Sequence, residues 1–421
     1  MRRCQPRGRT GSDAKPQVTV NALSPFGRGA NAPLAGRTIL QIVPPLSAGG
    51  DERSTLAVAA ALIDAGARAL VASDPGELAS EVQALGGLHV PFPASTKNPL
   101  AMTLNVRRLT RILSSERVDL VHARSRSAAW VALGACRKLK RPVVTTFPGE
   151  GAGSSPRTNF ESAVADGDLA IASSQYVADR AAEIFPAAAR RLRIVRPGLD
   201  LAKLAPDAVT RQRVAKMREG WGAAPHERVV LAPARLAPAR GQKLVIEAAA
   251  LIKARGLEDV RFVLAGDAAK PAFARELDAL AAQRGVKSNV ARVGAPTDRP
   301  AAFVAAGAVV FPANEAEGVT RTTVEAAAMG ALIIVSDVGT ASEIVAAPPH
   351  SPVEERSGWL IPPRDAAALA EAIEAAFTLG ASAREAIRQR SRERIAKFYS
   401  LERMMRDTLG VYAEALERRS F

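Results

Sequence analysis

Short apolar runs alternate with longer segments of helical periodicity along most of the chain. Runs without a polar residue at every second position are what strands buried on both faces of a parallel sheet require. They predict strands at RTILQIVP (37–44), ALVAS (69–73), VDLVHA (118–123), PVVTTF (142–147), LAIASS (169–174) and LRIVRP (192–197). After a helical RQRVAKMREGWG (211–222), a second series predicts strands at RVVLAPA (228–234), RFVLAGD (261–267), VARVG (290–294), AVVFPA (308–313) and LIIVSD (332–337). Helices such as KLVIEAAALIKAR (243–255) and ELDALAAQRG (276–285) fall between them. This alternation predicts two successive doubly wound α/β domains. The Pro and Gly of IVRPGLDLAKLAP (194–206) make that segment the expected crossing between them.

The two ends of the chain read differently. Residues 1–35 combine Arg, Gly and Pro without sustained periodicity, which predicts a disordered basic tail. The tail lacks the apolar centre of a secretory signal, so export by that route is not expected. From 381 to 421 the pattern is that of charged amphipathic helices around FYSLERMMRDTLGVYAEAL. No uninterrupted apolar run approaches the roughly 20 residues of a membrane-spanning helix. A cytoplasmic protein is expected, at most peripheral to the inner face of a membrane.

Composition narrows the picture. A chain of 421 residues is too long for one ordinary core. Aromatics make up only 4% of it, so its cores are expected to be built from Ala, Val, Leu and Ile. The formal charge of +15 and a pI near 10.5 favour anionic partners: nucleic acid, an anionic bilayer surface or phosphorylated small molecules. Specific nucleic-acid binding is disfavoured, because the sequence has no zinc-ligand spacing, helix-turn-helix pattern or basic stripe interleaved with aromatics. Two cysteines, Cys4 and Cys136, make no disulfide framework and suit a reducing compartment. Four histidines stand far apart, and no metal site is expected.

Open parallel sheets bind ligands at the carboxyl ends of their strands, and the chemically interesting residues lie there. Glu317 and Glu325, in EGVTRTTVEAAAMGA, bracket seven residues where a loop becomes a helix predicted to start near Thr322. A helix N-terminus offers free N–H groups to a phosphate; a first-turn glutamate also simply favours the helix dipole. Arg235 and Arg240 follow another strand, with Gly241 and Lys243 beside them. Guanidiniums so placed suit a diphosphate, since arginine grips phosphate oxygens bidentately and stays charged; solvated surface arginines are the plain alternative. In SAGGDE, Gly49 and Gly50 allow backbone to approach a phosphate or sugar, or merely form a turn. His122 and Arg124 end a further strand, where a histidine can meet substrate or pack structurally.

In combination these pieces resemble the retaining glycosyltransferases of family 4, over most of residues 36–415. EGVTRTTVEAAAMG, ARLAPARGQ, FVLAGD, VRPGLD, SDVGTASEIV and SGWLIPPRD carry the resemblance in the carboxyl-terminal half. SAGGDERSTLAVAAAL, VDLVHARSRSAAWVA and VVTTF carry it in the amino-terminal half, and the likeness is to a branch building bacterial envelope polysaccharide or lipopolysaccharide. The resemblance implies the GT-B fold, two Rossmann-like domains facing across a cleft. It divides the chain into an acceptor domain (36–203), a nucleotide-sugar donor domain (204–380) and terminal helices (381–421) bracing the two. Its expected chemistry is metal-independent sugar transfer from a nucleotide-sugar, with UDP or GDP as carrier and no further cofactor. The expected acceptor is lipid-linked or an envelope glycan.

The resemblance also implies roles. Arg235 and Arg240 would neutralise the leaving diphosphate, Glu325 would bond the ribose and Glu317 would lie near the transferred sugar. Val319 and Thr320 occupy the stretch where the family brings its backbone close to the donor. The chain departs from the family pattern in four places. Pro148 replaces a histidine, Arg240 a lysine, Thr320 a glycine, and Ala234 the first glycine of a GRL motif. A relative that keeps the fold and nucleotide site as a binding or scaffold protein, without transfer, is the alternative reading.

Overall fold

The computed structural model describes residues 33–46, 50–96, 98–147 and 159–418. The first sheet has seven parallel strands: β1 (Thr38–Ile42), β2 (Arg68–Ser73), β3 (Leu88–Pro91), β4 (Leu120–Ala123), β5 (Val143–Thr146), β6 (Leu169–Ala172) and β7 (Leu192–Ile194). Their order across the sheet is β3-β2-β1-β4-β5-β6-β7. The second sheet has six: β8 (Arg228–Pro233), β9 (Val260–Ala265), β10 (Val290–Val293), β11 (Ala308–Phe311), β12 (Ile333–Ser336) and β13 (Trp359–Ile361). They are ordered β10-β9-β8-β11-β12-β13. In both sheets the order reverses beside the first strand, which opens a crevice at the strand carboxyl ends.

Alternation along each strand feeds a core on either face. In the first sheet Leu40, Ile42 and Val121 enter one core, and Ile39, Val71 and Leu120 the other. Burial on both faces is why these strands read as continuous apolar runs. Two strands escape that reading. β3 is a half-exposed edge closed by Pro91, and β13 has only three residues. At the chain start, Leu34 is 3% exposed and belongs to the core, so order begins inside the stretch read as tail. Residues 1–32, including Cys4, lie outside the described residues.

The expected crossing is largely irregular and meets the chain's return. Leu199 N–H donates to Tyr399 O at 2.8 Å, and Leu401 N–H donates to Leu199 O at 3.0 Å. The helix Ala381–Tyr399 packs on the second sheet through Ile387 and Ile395. The helix Leu401–Glu417 returns to the first, burying Met404, Met405, Leu409, Val411 and Tyr412. At about 1.5–3 kcal/mol for each fully buried apolar side chain, that docking is part of the fold. Among the described residues no single helix is long and apolar enough to cross a membrane.

Candidate active site

The carboxyl ends of the two sheets face one cleft of about 630 Å³. Its second-sheet wall is made by the loops after β8 and β11, and the two loops are tied together. Asn314 N–H donates to Ala239 O at 2.9 Å, and its Nδ2 donates to Pro238 O at 2.8 Å. Gly241 sits at φ +73°, where an added Cβ would lie 1.7 Å from Pro312 O, so only glycine permits this approach. Buried Gln242 completes the brace through Nε2, which donates to Arg235 O at 3.1 Å.

Glu317 is held from beneath. Gly339, at φ +61°, passes so close that a Cβ would lie 2.2 Å from Glu317 O, and Thr340 N–H donates to the same oxygen at 3.2 Å. The Glu317 carboxylate accepts from Arg240 Nη1 in an ion pair, both side chains about one-quarter exposed. Arg235 is exposed on the cleft wall and has no acidic partner among the described residues. Lys243, grouped with these cations by sequence, pairs instead with Glu276 at 2.9 Å and is not part of the lining.

Glu325 lies on the helix Arg321–Ala328, whose N-cap is Thr320. Its side chain is only 4% exposed and is gripped by Arg321 Nε at 2.7 Å and Arg299 Nε at 3.1 Å. It stands behind the lining, whereas Val319, Thr320 and Arg321 are in it. The spacing of Arg321 and Glu325 is a helical i,i+4 pair visible in the sequence; Arg299 belongs to another element, and nothing in the local sequence announces it.

On the first-sheet side the lining includes Glu52, Thr55, Arg124, Ser125, Arg126 and Thr146. Arg124 Nη1 donates to Gln41 Oε1 at 3.3 Å, and Gln41 itself is fully buried in β1. His122 is outside the lining. It is 1% exposed, with Nδ1 2.7 Å from Tyr412 Oη and Nε2 2.7 Å from Thr146 Oγ1. Burial, reinforced by the Arg124 charge, pushes its pKa well below 6.5. Gly50 is the first residue of the helix Gly50–Asp64, while Gly49 and Pro148 lie outside the described residues.

Five arginines (124, 126, 235, 240 and 321) line the cleft against two glutamates (52 and 317), an excess of three positive charges. Low-dielectric walls focus such a field and favour a polyanion. Among the described residues no group of three or more His, Cys, Asp or Glu could hold a metal ion.

The two halves match two protein families: "Glycosyltransferase Family 4" over residues 48–203 and "Glycosyl transferases group 1" over residues 214–394. By its two domains the chain belongs to the GT-B glycosyltransferases. Among curated relatives, the D-inositol 3-phosphate glycosyltransferase of Salinispora tropica is 27% identical over 81% of this chain and 75% of its own. That of Jonesia denitrificans is 29% identical, but the match spans only 54% of this chain and 53% of the relative. Among solved structures, a glycosyltransferase from Rickettsia africae has a TM-score of 0.79 at 26% identity, covering 91% of this chain and 99% of that one. Anabaena HepE, solved in complex with UDP and glucose, has a TM-score of 0.70 at 20% identity, covering 90% and 100%. As a GT-B glycosyltransferase the chain has its two Rossmann-like sheets facing across the cleft.

Proposed function

We propose that this GT-B glycosyltransferase transfers a sugar, with retention of configuration, from a nucleoside diphosphate sugar to an acceptor that carries phosphate. The observation that carries the reading is the cationic cleft between the sheets, with Arg235 uncommitted and Arg240 poised beside Glu317. In the reaction the bond from the anomeric carbon to the diphosphate oxygen breaks, and its electron pair leaves with the diphosphate. Arg235 and Arg240 stabilise the charge that develops there. An acceptor oxygen forms the new bond, and its proton passes to the departing diphosphate oxygen. Because guanidiniums supply the positive charge, no divalent cation is required. For Glu325 to bond the ribose, Arg321 swings aside from the carboxylate it holds at 2.7 Å and opens it to the cleft.

UDP is the favoured carrier, since HepE of similar fold was solved with it. Arg124 and Arg126, on the first-sheet wall, suit a phosphate on the acceptor. A phosphorylated polyol satisfies this, in keeping with the names of the curated relatives, and so does a lipid-linked envelope glycan. A peripheral contact with an anionic bilayer would use the helix Pro99–Ser115, where exposed Leu100 and Leu104 stand beside Arg107, Arg108 and Arg111.

The test is incubation with UDP- and GDP-sugars and D-inositol 3-phosphate in EDTA, with the product anomer read by NMR. Transfer with the donor's anomeric configuration supports the reading. An inverted product refutes retention. Nucleotide binding with no transfer to this acceptor or to phosphorylated envelope lipid refutes the reading and leaves a binding protein.

A further inference from the structure

The last helix belongs by sequence to the carboxyl-terminal half, yet it delivers Tyr412 to His122, 290 residues earlier, beneath the first-sheet wall. The rings meet edge to face, centroids 5.5 Å apart. Tyr412 is fully buried, and among the described residues its hydroxyl has one hydrogen-bond partner, His122 Nδ1. A buried hydroxyl must place its proton somewhere, because an unmatched donor in the interior is costly. The acceptor within reach is Nδ1, which requires that Nδ1 carry no proton. A neutral imidazole then bears its proton on Nε2. Nε2–H donates to Thr146 Oγ1 at 2.7 Å, and Thr146 must send its own proton elsewhere.

Thr146 is the last residue of β5 and lines the cleft; its neighbour Thr145 turns the other way and donates to Val164 O at 2.6 Å. No protein acceptor for the Thr146 proton occurs among the described residues. We infer that Tyr412 fixes the Nε2–H tautomer of His122 and so makes Thr146 a hydrogen-bond donor to an oxygen of the acceptor substrate. Tyr412 and His122 are positioning residues; Thr146 touches the ligand. The burial that keeps His122 neutral also raises the Tyr412 pKa far above its ordinary value, so both stay uncharged. Swapping the tautomer would leave the tyrosine proton stranded, and it would turn Thr146 from donor to acceptor. The cleft's first-sheet wall is therefore incomplete until the last helix has docked.

The tautomer stands by itself, whereas the role of Thr146 rests on the transferase reading above. Four histidines make ¹⁵N-imidazole spectra of the full chain readable, with His122→Gln assigning the signal. The expected wild-type pattern is one protonated nitrogen, Nε2, and a hydrogen-bonded lone pair on Nδ1. Tyr412→Phe removes the donor to Nδ1 and is expected to give a mixture of tautomers. In transfer assays Tyr412→Phe and Thr146→Val each raise the acceptor KM about tenfold and leave the donor KM unchanged. Thr146→Ser restores the wild-type value, and the double variant is no worse than Thr146→Val. A wild-type Nδ1–H tautomer overturns the inference, as does a Tyr412→Phe protein that loses thermal stability with no change in acceptor KM. An Nε2–H tautomer without transfer from any nucleotide-sugar upholds the relay and overturns the functional reading instead.

Discussion

The guanidinium of Arg240 and the carboxylate of Glu317 neutralise one another across two loops that backbone contacts hold together. Each would act on a diphosphate in the opposite sense, the arginine attracting it and the glutamate repelling it. Glu317→Gln is therefore expected to bind UDP severalfold more tightly than wild type while transfer falls by a hundredfold or more. Calorimetry and a transfer assay on one preparation check this; weaker UDP binding by Glu317→Gln would show that its charge does not oppose the nucleotide.

Arg240→Ala leaves that carboxylate uncompensated beside the phosphates, so it is expected to weaken UDP binding more than Arg235→Ala does. Arg235→Ala removes one charge-assisted contact, worth about tenfold to a hundredfold in Kd. Arg240→Lys keeps the charge and recovers part of the loss. Isothermal titration of the three variants gives the ranking.

Gly241 and Gly339 shape the donor wall from behind the lining residues. Alanine at either position would take a left-handed backbone and meet Pro312 O or Glu317 O well inside contact distance. Left-handed strain alone costs about 1–3 kcal/mol. Each variant is expected to lower the Tm by several degrees and to lose UDP affinity, measured by thermal unfolding with and without nucleotide. An unchanged Tm would mean the loops relax freely.

Glu343 joins the two halves away from the cleft. It accepts from the backbone N–H groups of Gln175 and Tyr176 at 3.0 and 2.9 Å, the first turn of a helix in the other half, and from Arg196 Nη2 at 3.0 Å. Its side chain is 15% exposed, so screening is limited. Glu343→Ala removes this cap and leaves Arg196 unpaired, costing about 1–3 kcal/mol. The expected signature is faster amide exchange at the start of the helix Gln175–Ile184.

His122 predicts a pH dependence of stability. Its pKa is depressed in the fold, so below pH 6.5 the unfolded chain takes up a proton that the folded chain refuses. The stabilisation is present above pH 6.5 and is lost as pH falls towards the folded pKa, by at most about 1.4 kcal/mol per unit. His122→Gln lacks this loss, so the stability gap between it and wild type should narrow from pH 7.5 to pH 5. A constant gap in denaturant unfolding would contradict a neutral buried histidine.

Most of the fold was legible because strands buried on both faces advertise themselves as apolar runs, and each expected strand is present within a few residues. The edge strand at Leu88–Pro91 was not, since partial exposure and a terminal proline erase that signal. The loops bearing Arg235, Arg240 and Glu317 were legible from their place after strands. What sequence could not give was pairing across elements. Arg299 on Glu325, Glu276 on Lys243, Gly339 under Glu317 and Tyr412 on His122 all depend on contacts that the local pattern does not encode.

The central claim is that the cleft holds a nucleoside diphosphate between Arg235 and Arg240. Calorimetric titration of the full chain with UDP, GDP and ADP, repeated on Arg235→Ala, tests it most directly. Micromolar binding of one nucleotide, UDP foremost, is expected, weakened tenfold or more by the substitution. Absence of binding by all three, or binding indifferent to Arg235, would contradict it.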